Sequence, residues 1–192
     1  MIKILVLIGK TASGKDTVVN NLVKKHGFKK LTTYTSRPKR KGEKDEVTYH
    51  YISEEDFKQR IKEGFFAEWK TYNTEFGVWY YGTALDDLKM ADDKTVIILT
   101  PDGYRDILDK LPEKPKSIYI YANNATIKER LQKRGDDKDE AARRIKYDNE
   151  DFKGVDQLVD RIVYNNREAN IDDVVTIIEN ILCKWRKEDE RK

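Results

Sequence analysis

The 192-residue sequence is poor in the residues that build covalent or metal-held frameworks, with one cysteine (Cys183), two histidines and four prolines. A lone cysteine excludes an internal disulfide, and without a Cys/His cluster nothing indicates a zinc site, so we expect a reducing, cytoplasmic location. The apolar run at residues 2–8 contains Lys3 and is too short for a membrane span or a signal peptide. We therefore expect no membrane partner.

The sequence also lacks an excess of either charge, because 38 Lys and Arg residues nearly balance 35 Asp and Glu residues, leaving a net charge of +3. This balance provides no general basic surface, so we expect no nucleic-acid partner, and any basic site must be local. The length suits one large domain or one domain with inserted lobes.

The most informative motif follows the apolar run and reads Gly-Lys-Thr-Ala-Ser-Gly-Lys-Asp-Thr at residues 9–17. The β-branched run predicts a buried strand and the apolar spacing of residues 18–23 predicts a helix, an order typical of the phosphate-binding P-loop. Backbone N–H groups of such a loop face a polyphosphate, and its lysine reaches the terminal phosphates. An ordinary glycine-containing turn is the alternative. The predicted ATP-binding loop residues are Gly9, Lys10, Thr11, Ala12, Ser13, Gly14, Lys15, Asp16 and Thr17.

Further along the chain, strands alternate with helices. Apolar runs at residues 95–99, 117–121 and 161–164 predict three more core strands. Asn170 is the expected N-cap of a closing helix with one apolar stripe, and the charged tail at residues 184–192 is expected to fray. This alternation predicts an α/β fold with a parallel sheet covered on both faces.

Two stretches interrupt the alternation. Twelve of the twenty aromatic residues fall between Tyr34 and Tyr81, which predicts an accessory lobe at residues 33–85 with a short helix capped by Ser53. We expect most of these aromatics, Trp69 included, to form a satellite core. The second stretch, at residues 123–152, carries four arginines on two short helical patterns. They suit a lid over transferring phosphates, although a solvated charged face is the alternative. These arginines are Arg130, Arg134, Arg143 and Arg144.

Several ordered blocks together resemble the guanylate kinases, a branch of the P-loop nucleoside monophosphate kinases, over nearly the whole length. The resemblance implies a P-loop NTPase-type three-layer sandwich with a core at residues 1–32, 86–122 and 153–192, an inserted monophosphate-binding lobe and a helical lid. It also implies transfer of the ATP γ-phosphate to GMP or dGMP with Mg²⁺, in a monomer or homodimer. The blocks are residues 9–17, 35–43, Tyr49, 66–69, 80–83 and 130–135.

The resemblance assigns roles to individual residues. Lys15, Arg37, Arg134 and Arg144 are the implied catalytic residues. Arg130, Arg134 and Asn165 are implied to join the loop in binding ATP. Glu68 is implied to accept hydrogen bonds from guanine, for which a carboxylate is suited, since adenine lacks the required pair of donors. The alternatives to these binding roles are a basic solvated loop around Arg37 and a surface glutamate at position 68. The implied GMP-binding residues are Thr33, Arg37, Arg40, Tyr49, Glu68, Tyr81 and Thr83.

Three features depart from the family pattern. Asp16 stands where Ser or Thr binds magnesium in the family. The acids that the family carries at the end of the strand at residues 95–99 are absent here, where Thr100 lies, and Asp102 is nearby but out of register. We hypothesise that Asp16 supplies the missing charge to Mg²⁺, directly or through water, with Thr17 as a second candidate ligand. The connection at residues 73–79 is expected to be longer than usual, which leaves the choice of acceptor open. A kinase for another (deoxy)nucleoside monophosphate or a sugar phosphate, or a non-catalytic binding module, are the alternative functions.

Overall fold

The computed structural model describes residues 4–40, 42–74 and 77–191. The chain forms two compact units, which we call the first and the second unit. The first unit comprises Met1–Lys30, Asp92–Asp102 and Pro115–Lys192, and the second comprises Leu31–Ala91 and Gly103–Lys114. The three-part division into core, lobe and lid stays a prediction.

The described residues form nine strands and eight helices. The strands are β1 Leu5–Ile8, β2 Lys29–Lys30, β3 Tyr34–Thr35, β4 His50–Tyr51, β5 Phe66–Thr74, β6 Gly77–Ala84, β7 Thr95–Leu99, β8 Lys116–Tyr121 and β9 Arg161–Tyr164. The helices are α1 Lys15–His26, α2 Glu54–Lys62, α3 Leu85–Lys89, α4 Pro101–Leu108, α5 Asn124–Arg134, α6 Lys138–Asp151, α7 Val155–Leu158 and α8 Ile171–Asp189. No helix among them combines the length and apolarity needed to cross a membrane.

The first unit contains a five-stranded parallel sheet in the order β2-β7-β1-β8-β9. Its central strands are buried, and the apolar stripes of α1 and α8 pack against them in one core cluster. The parallel α/β fold is therefore confirmed. Strand β1 begins at Leu5, whereas Ile2 and Lys3 of the predicted strand lie outside the described residues. Strand β2 was not predicted, because a two-residue run of lysines carries no periodic signal.

Helix α8 confirms the predicted cap and corrects the predicted fraying. The side chain of Asn170 accepts a hydrogen bond from the Asp172 N–H at 3.0 Å. The helix continues to Asp189, so most of the charged tail is helical; Lys192 lies outside the described residues. Trp185 explains this difference, since its ring is buried in the core and lies under Lys116 Nζ, 5.2 Å from the ring centroid. One buried aromatic residue fastens a segment that is otherwise charged.

The second unit contains a four-stranded sheet in the order β4-β3-β6-β5, in which β5 and β6 pair as an antiparallel hairpin. Helix α2 begins after Ser53, whose hydroxyl accepts a hydrogen bond from the Asp56 N–H at 2.9 Å, as predicted. Phe57 of this helix stacks on Phe66 at 4.3 Å between ring centroids and forms part of the lobe's own core.

One prediction about this hairpin is wrong, and a second stays a prediction. Trp69 is 44% exposed rather than buried, because neighbouring strand residues point to opposite faces and Glu68 takes the buried one. The segment at residues 73–79 is mostly strand, since Asn73 pairs with Val78 and Thr74 with Gly77, and its greater length than usual stays a prediction. Glu75 and Phe76, also part of the predicted connection, lie outside the described residues.

Candidate functional site

The loop between β1 and α1 carries two glycines, and any other residue at either position would displace neighbouring atoms. A Cβ on Gly9 would lie 2.8 Å from the backbone oxygen of Ile120. Gly14 has a φ of +97°, a region that favours glycine, and a Cβ there would lie 2.3 Å from Asn165 Nδ2. Asn165 Nδ2 in turn donates to the backbone oxygen of Ser13 at 2.8 Å. Close contact with β8 and with the residue after β9 therefore shapes this loop.

Lys15 holds its ammonium group against the same loop. Its Nζ donates to the backbone oxygens of Gly9 at 2.6 Å and Lys10 at 2.8 Å. Burial lowers the pKa of Lys15, and the nearby carboxylates of Asp16 and Asp148 oppose that shift. The hydroxyl of Ser13 is buried and has no hydrogen-bond partner within the part of the chain that the structure describes. The loop thus presents a positioned cation and an unused polar atom, an arrangement suited to an anion.

A cavity of about 360 Å³ opens beside this loop. Arg130 and Arg134 of α5 line it together with loop residues, so the structure brings these predicted ATP-binding residues together. Arg130 also donates to the backbone oxygen of Ala12 at 3.2 Å and to Asn165 Oδ1 at 3.3 Å. The cavity is lined by Ala12, Gly14, Lys15, Asp16, Thr17, Arg130, Arg134, Asn165, Ala169 and Ile171.

Three arginines of α5 and α6, namely Arg134, Arg143 and Arg144, have acidic partners that the sequence did not single out. Arg134 Nε donates to Asp136 Oδ1 at 2.6 Å, and Arg144 Nε donates to Glu140 Oε1 at 2.7 Å. Arg143 shares Glu140. Arg144 is not among the residues that line the cavity. Each of these arginines is therefore held by a carboxylate, and a phosphate would have to replace or share that bond to be contacted.

The metal candidates lie at the start of α1. Asp16 and Thr17 are both exposed and both line the cavity. Among the described residues, no three His, Cys, Asp or Glu side chains group closely enough to hold a metal ion alone. Mg²⁺ does not need such a group, since it keeps several waters and binds one or two carboxylates together with substrate phosphates. One carboxylate and one hydroxyl beside an anion-binding loop fit this ion.

In the second unit, two predicted acceptor-binding residues lie side by side. Glu68 on β5 pairs with Thr83 on β6, and the Thr83 hydroxyl donates to Glu68 Oε1 at 2.5 Å. Both side chains are buried. Burial raises the pKa of Glu68 to about 6, although the bond from Thr83 acts in the opposite direction. A buried carboxylate held by Thr83 keeps acceptor capacity for a ligand.

Arg37 is buried and held in place by its own loop. It donates through Nη2 to Glu43 Oε1 at 2.8 Å and Oε2 at 2.9 Å, and through Nη1 to the Pro38 backbone oxygen at 2.8 Å. Glu43 also accepts from the Tyr51 hydroxyl at 2.8 Å. Burial of Glu43 acts to raise its pKa, but these hydrogen bonds outweigh it and lower the pKa to about 2. Arg37 is therefore a fixed cation rather than a mobile one.

The other predicted acceptor residues of the second unit have the following contacts. The guanidinium of Arg37 lies 5.6 Å from the ring centroid of Tyr49, and the Tyr49 ring lies 5.9 Å from that of Tyr81. Arg40 is exposed, and its backbone N–H donates to Glu43 Oε2 at 2.8 Å. Thr33 is half-buried directly before β3, with its backbone oxygen accepting from the His50 N–H at 2.9 Å.

Sequence reasoning missed Glu43 and Tyr51 as members of this cluster. Glu43 closes the block at residues 35–43, and Tyr51 stands two residues after Tyr49, so strand alternation was a usable signal for the second. The bidentate bond between Glu43 and Arg37 has no signal in the sequence, because it depends on how the loop folds back.

The fold and the cavity beside the β1–α1 loop define a P-loop α/β nucleotide-binding protein. A guanylate kinase family model matches residues 1–184. The guanylate kinase of Sulfurimonas denitrificans is 32% identical over 170 residues, covering 85% of this chain and 80% of that protein. The chain belongs to the guanylate kinase family.

Two further comparisons extend over more of the chain. The guanylate kinase of Prochlorococcus marinus subsp. pastoris is 28% identical over 183 residues, covering 93% of this chain and 97% of that protein. The crystal structure of guanylate kinase from Anaplasma phagocytophilum superposes with a TM-score of 0.68 at 25% identity, covering 96% of this chain and 86% of that one. The similarity therefore covers both units.

Proposed function

We propose that this chain transfers the γ-phosphoryl group of ATP to GMP or dGMP, giving ADP and GDP or dGDP. Membership of the family makes it an ATP-dependent nucleoside monophosphate kinase, and neither a sugar phosphate kinase nor a non-catalytic binding module is favoured. The observation that carries the guanine assignment is the buried carboxylate of Glu68 with its Thr83 partner. An unpaired carboxylate in such a pocket is costly, which penalises a base without two adjacent donors.

On the donor side, the backbone N–H groups at the start of α1 and the ammonium of Lys15 bind the ATP phosphates. Arg130 and Arg134, which line the same cavity, neutralise charge on the migrating phosphoryl group. Arg144 contributes after exchanging its bond to Glu140 for one to phosphate. Positioning and charge neutralisation account for phosphoryl transfer without a covalent intermediate.

Asp16 and Thr17 would hold Mg²⁺ at this site, directly or through water. When bound, the ion supplies further positive charge at the donor phosphates. The Asp16 carboxylate then acts as the anionic ligand that is missing directly after β7, where Thr100 lies. Asp102 comes later, in the first turn of α4.

The Asp16→Asn variant is expected to need about tenfold more Mg²⁺ for half-maximal activity, because it loses the anionic oxygen that holds the ion or its water. The measurement is a Mg²⁺ titration of ADP release, paralleled by a Mg²⁺ titration of ATP binding. Asp173→Asn, at an exposed position of α8, is the matched control. An unchanged Mg²⁺ requirement in the Asp16 variant would refute the assignment.

On the acceptor side, Glu68 accepts two hydrogen bonds from the guanine edge while Thr83 and Thr33 contact the base or its phosphate. Arg37 and Arg40 clamp the acceptor phosphate with the hydroxyls of Tyr49 and Tyr81. Because Glu43 fixes the guanidinium of Arg37, little side-chain entropy is lost when the phosphate binds.

The raised pKa of Glu68 predicts a pH dependence. Because only the ionised carboxylate accepts both guanine hydrogen bonds, kcat/KM for GMP is expected to fall as the pH drops through about 6. Since the folded state binds this proton more tightly, the same shift makes the free energy of unfolding decrease as the pH rises from 4.5 to about 6.

The kinetic prediction is tested by measuring kcat/KM for GMP as a function of pH, with the Glu68→Gln variant as the control. The GMP phosphate itself titrates near pH 6, as phosphate monoesters do at about that value. A decrease of kcat/KM at low pH that is caused by Glu68 disappears in the variant, whereas a decrease caused by GMP persists. A variant that keeps the full decrease would contradict the prediction.

The function itself is tested by ADP release from MgATP across a panel of ribo- and deoxy-monophosphates and sugar phosphates. Turnover confined to GMP and dGMP is the expected result. Turnover with a different acceptor would overturn the guanine assignment but keep the phosphotransfer. Absence of an ATP effect on melting temperature would instead favour the binding module. A monomeric or homodimeric state, a cytoplasmic location and the absence of nucleic-acid binding stay predictions.

A further inference from the structure

Helix α6 reaches the phosphate loop through two neighbouring side chains. Asp148 Oδ2 accepts a hydrogen bond from the Thr11 N–H at 2.6 Å. Asn149 Oδ1 accepts one from Lys10 Nζ, also at 2.6 Å. These pairs are 137 and 139 residues apart in the sequence, and they join the last turns of α6 to the two residues that follow Gly9. The roles proposed above do not use either side chain.

Asp148 lies in an unusual electrostatic position. Burial raises the pKa of Asp148, while the Thr11 N–H and the ammonium groups of Lys15 and Lys10 act to lower it. A partly buried carboxylate is costly unless such partners compensate for its desolvation. Of these partners, the Thr11 N–H forms a direct bond, and hydrogen bonds to an ionised acceptor are shorter and stronger than neutral ones. The carboxylate is therefore committed to the loop.

The loop needs such fastening because its conformation is not one that the chain adopts readily. Ala12 has a φ of +51°, in the left-handed region that non-glycine residues rarely occupy. Three long-range bonds hold the peptides around it. Arg130 binds the backbone oxygen of Ala12, Asn165 binds that of Ser13, and Asp148 binds the Thr11 N–H. The Arg130 and Asn165 bonds come from residues already assigned to ATP, whereas Asp148 comes from α6.

We propose that Asp148 is a positioning residue for ATP binding, which fastens the Thr11 peptide and so holds the loop in the conformation that receives phosphate. This inference rests on the proposed function only in taking ATP as the ligand of the loop. Without the bond, the loop samples other conformations, and the apparent affinity falls with the fraction that stays competent. Asp148 touches no reacting atom, so its effect falls on ATP and not on GMP.

The test compares three variants of the full-length protein. Asp148→Ala removes the acceptor, Asp148→Asn keeps an oxygen for the Thr11 N–H, and Glu150→Gln changes an exposed acid on the same helix. We expect Asp148→Ala to raise the Kd of ATP, measured by calorimetry, about tenfold. The Asn variant should stay within about threefold of the wild type, and Glu150→Gln within about twofold. KM for GMP should not change in any of them.

Amide hydrogen exchange supplies the readout that a merely structural role would not move. Exchange at residues 9–14 should accelerate in Asp148→Ala while exchange in the β8 strand stays unchanged. Should the alanine variant not fold, Asp148→Ser provides a polar side chain too short to keep the bond. The calorimetry and the exchange measurements need no phosphate acceptor, so a wild type that binds ATP without phosphorylating GMP would defeat the proposed function and leave this inference standing.

Three results would overturn the inference. The first is an ATP affinity within twofold of the wild type in Asp148→Ala. The second is an equal loss in the Ala and Asn variants, which would assign the effect to charge at Lys15 rather than to the bond at Thr11. The third is a loss of affinity that appears only when Mg²⁺ is present, because Asp148 would then act toward the ion.

Discussion

Replacing Lys15 with alanine is expected to lower kcat for GMP phosphorylation by at least about a hundredfold. Removing one preorganised electrostatic partner of a transition state typically costs that much, and Lys15 carries a full charge. The fold should persist, because the bonds of this ammonium group among the described residues go to two backbone oxygens of its own loop, those of Gly9 and Lys10. The measurement is single-turnover ADP formation, with the melting temperature recorded alongside.

Lys24→Ala is the matched control, since Lys24 is an exposed lysine on the same helix. It should keep wild-type turnover. A Lys15→Ala enzyme that retains more than about a tenth of the activity would mean that the loop does not carry the transferring phosphate. Loss of folding in the variant, seen as a large drop in melting temperature, would instead assign Lys15 a structural role.

Replacing Glu68 with glutamine is expected to lower kcat/KM for GMP by about a hundredfold to a thousandfold, while KM for ATP stays unchanged. Sites built to hydrogen-bond a substrate group discriminate by large factors, because a mismatch leaves buried polar groups without partners. An amide presents one acceptor and one donor edge, so it can no longer accept from both guanine N–H groups. The preference for GMP over AMP should shrink accordingly.

Two further variants separate chemistry from packing. Thr83→Val keeps the shape of the threonine but removes the hydroxyl that orients Glu68, so a smaller loss confined to GMP is expected. Glu55→Gln, at an exposed position of α2 in the same unit, should behave as the wild type. Unchanged kinetics with GMP in Glu68→Gln would exclude this carboxylate from the base pocket.

The structure shows where carboxylates lie around the loop between β1 and α1, at which the chain departs from the family pattern. Asp16 lies at the cavity beside Lys15 and Arg134, so a carboxylate is available at the phosphates although none follows β7 directly. Asp148 brings a second carboxylate to the loop from α6, bonded to a backbone N–H. Both arise on elements that flank the loop.

Local signals accounted for much of the architecture. The caps at Ser53 and Asn170 depend on side chains that bond two or three residues onward, so a reader of the sequence can find them. The glycine pattern at residues 9–14 likewise specifies a turn whose chemistry is largely its own backbone. These features were predictable because the interacting groups are neighbours in the chain.

The sequence could not reveal contacts between distant segments. Trp185 keeps a charged tail helical because of the core beneath it, and Trp69 is exposed because Glu68 occupies the buried face of its strand. The short strand β2 exists because β7 lies beside it and pairs with it in parallel. Periodicity alone cannot anticipate any of these outcomes.

By itself, the sequence determined the α/β class, the phosphate loop with Lys15, and the residue types that suit a guanine nucleotide. Only the tertiary structure decided how those residues are held: Arg37 by Glu43, Glu68 by Thr83, and the Thr11 peptide by Asp148. The physical reason is that the interactions that specify a loop or a strand join residues only a few positions apart in the chain. Fixing a charged group in a buried place requires partners that only folding brings within bonding distance.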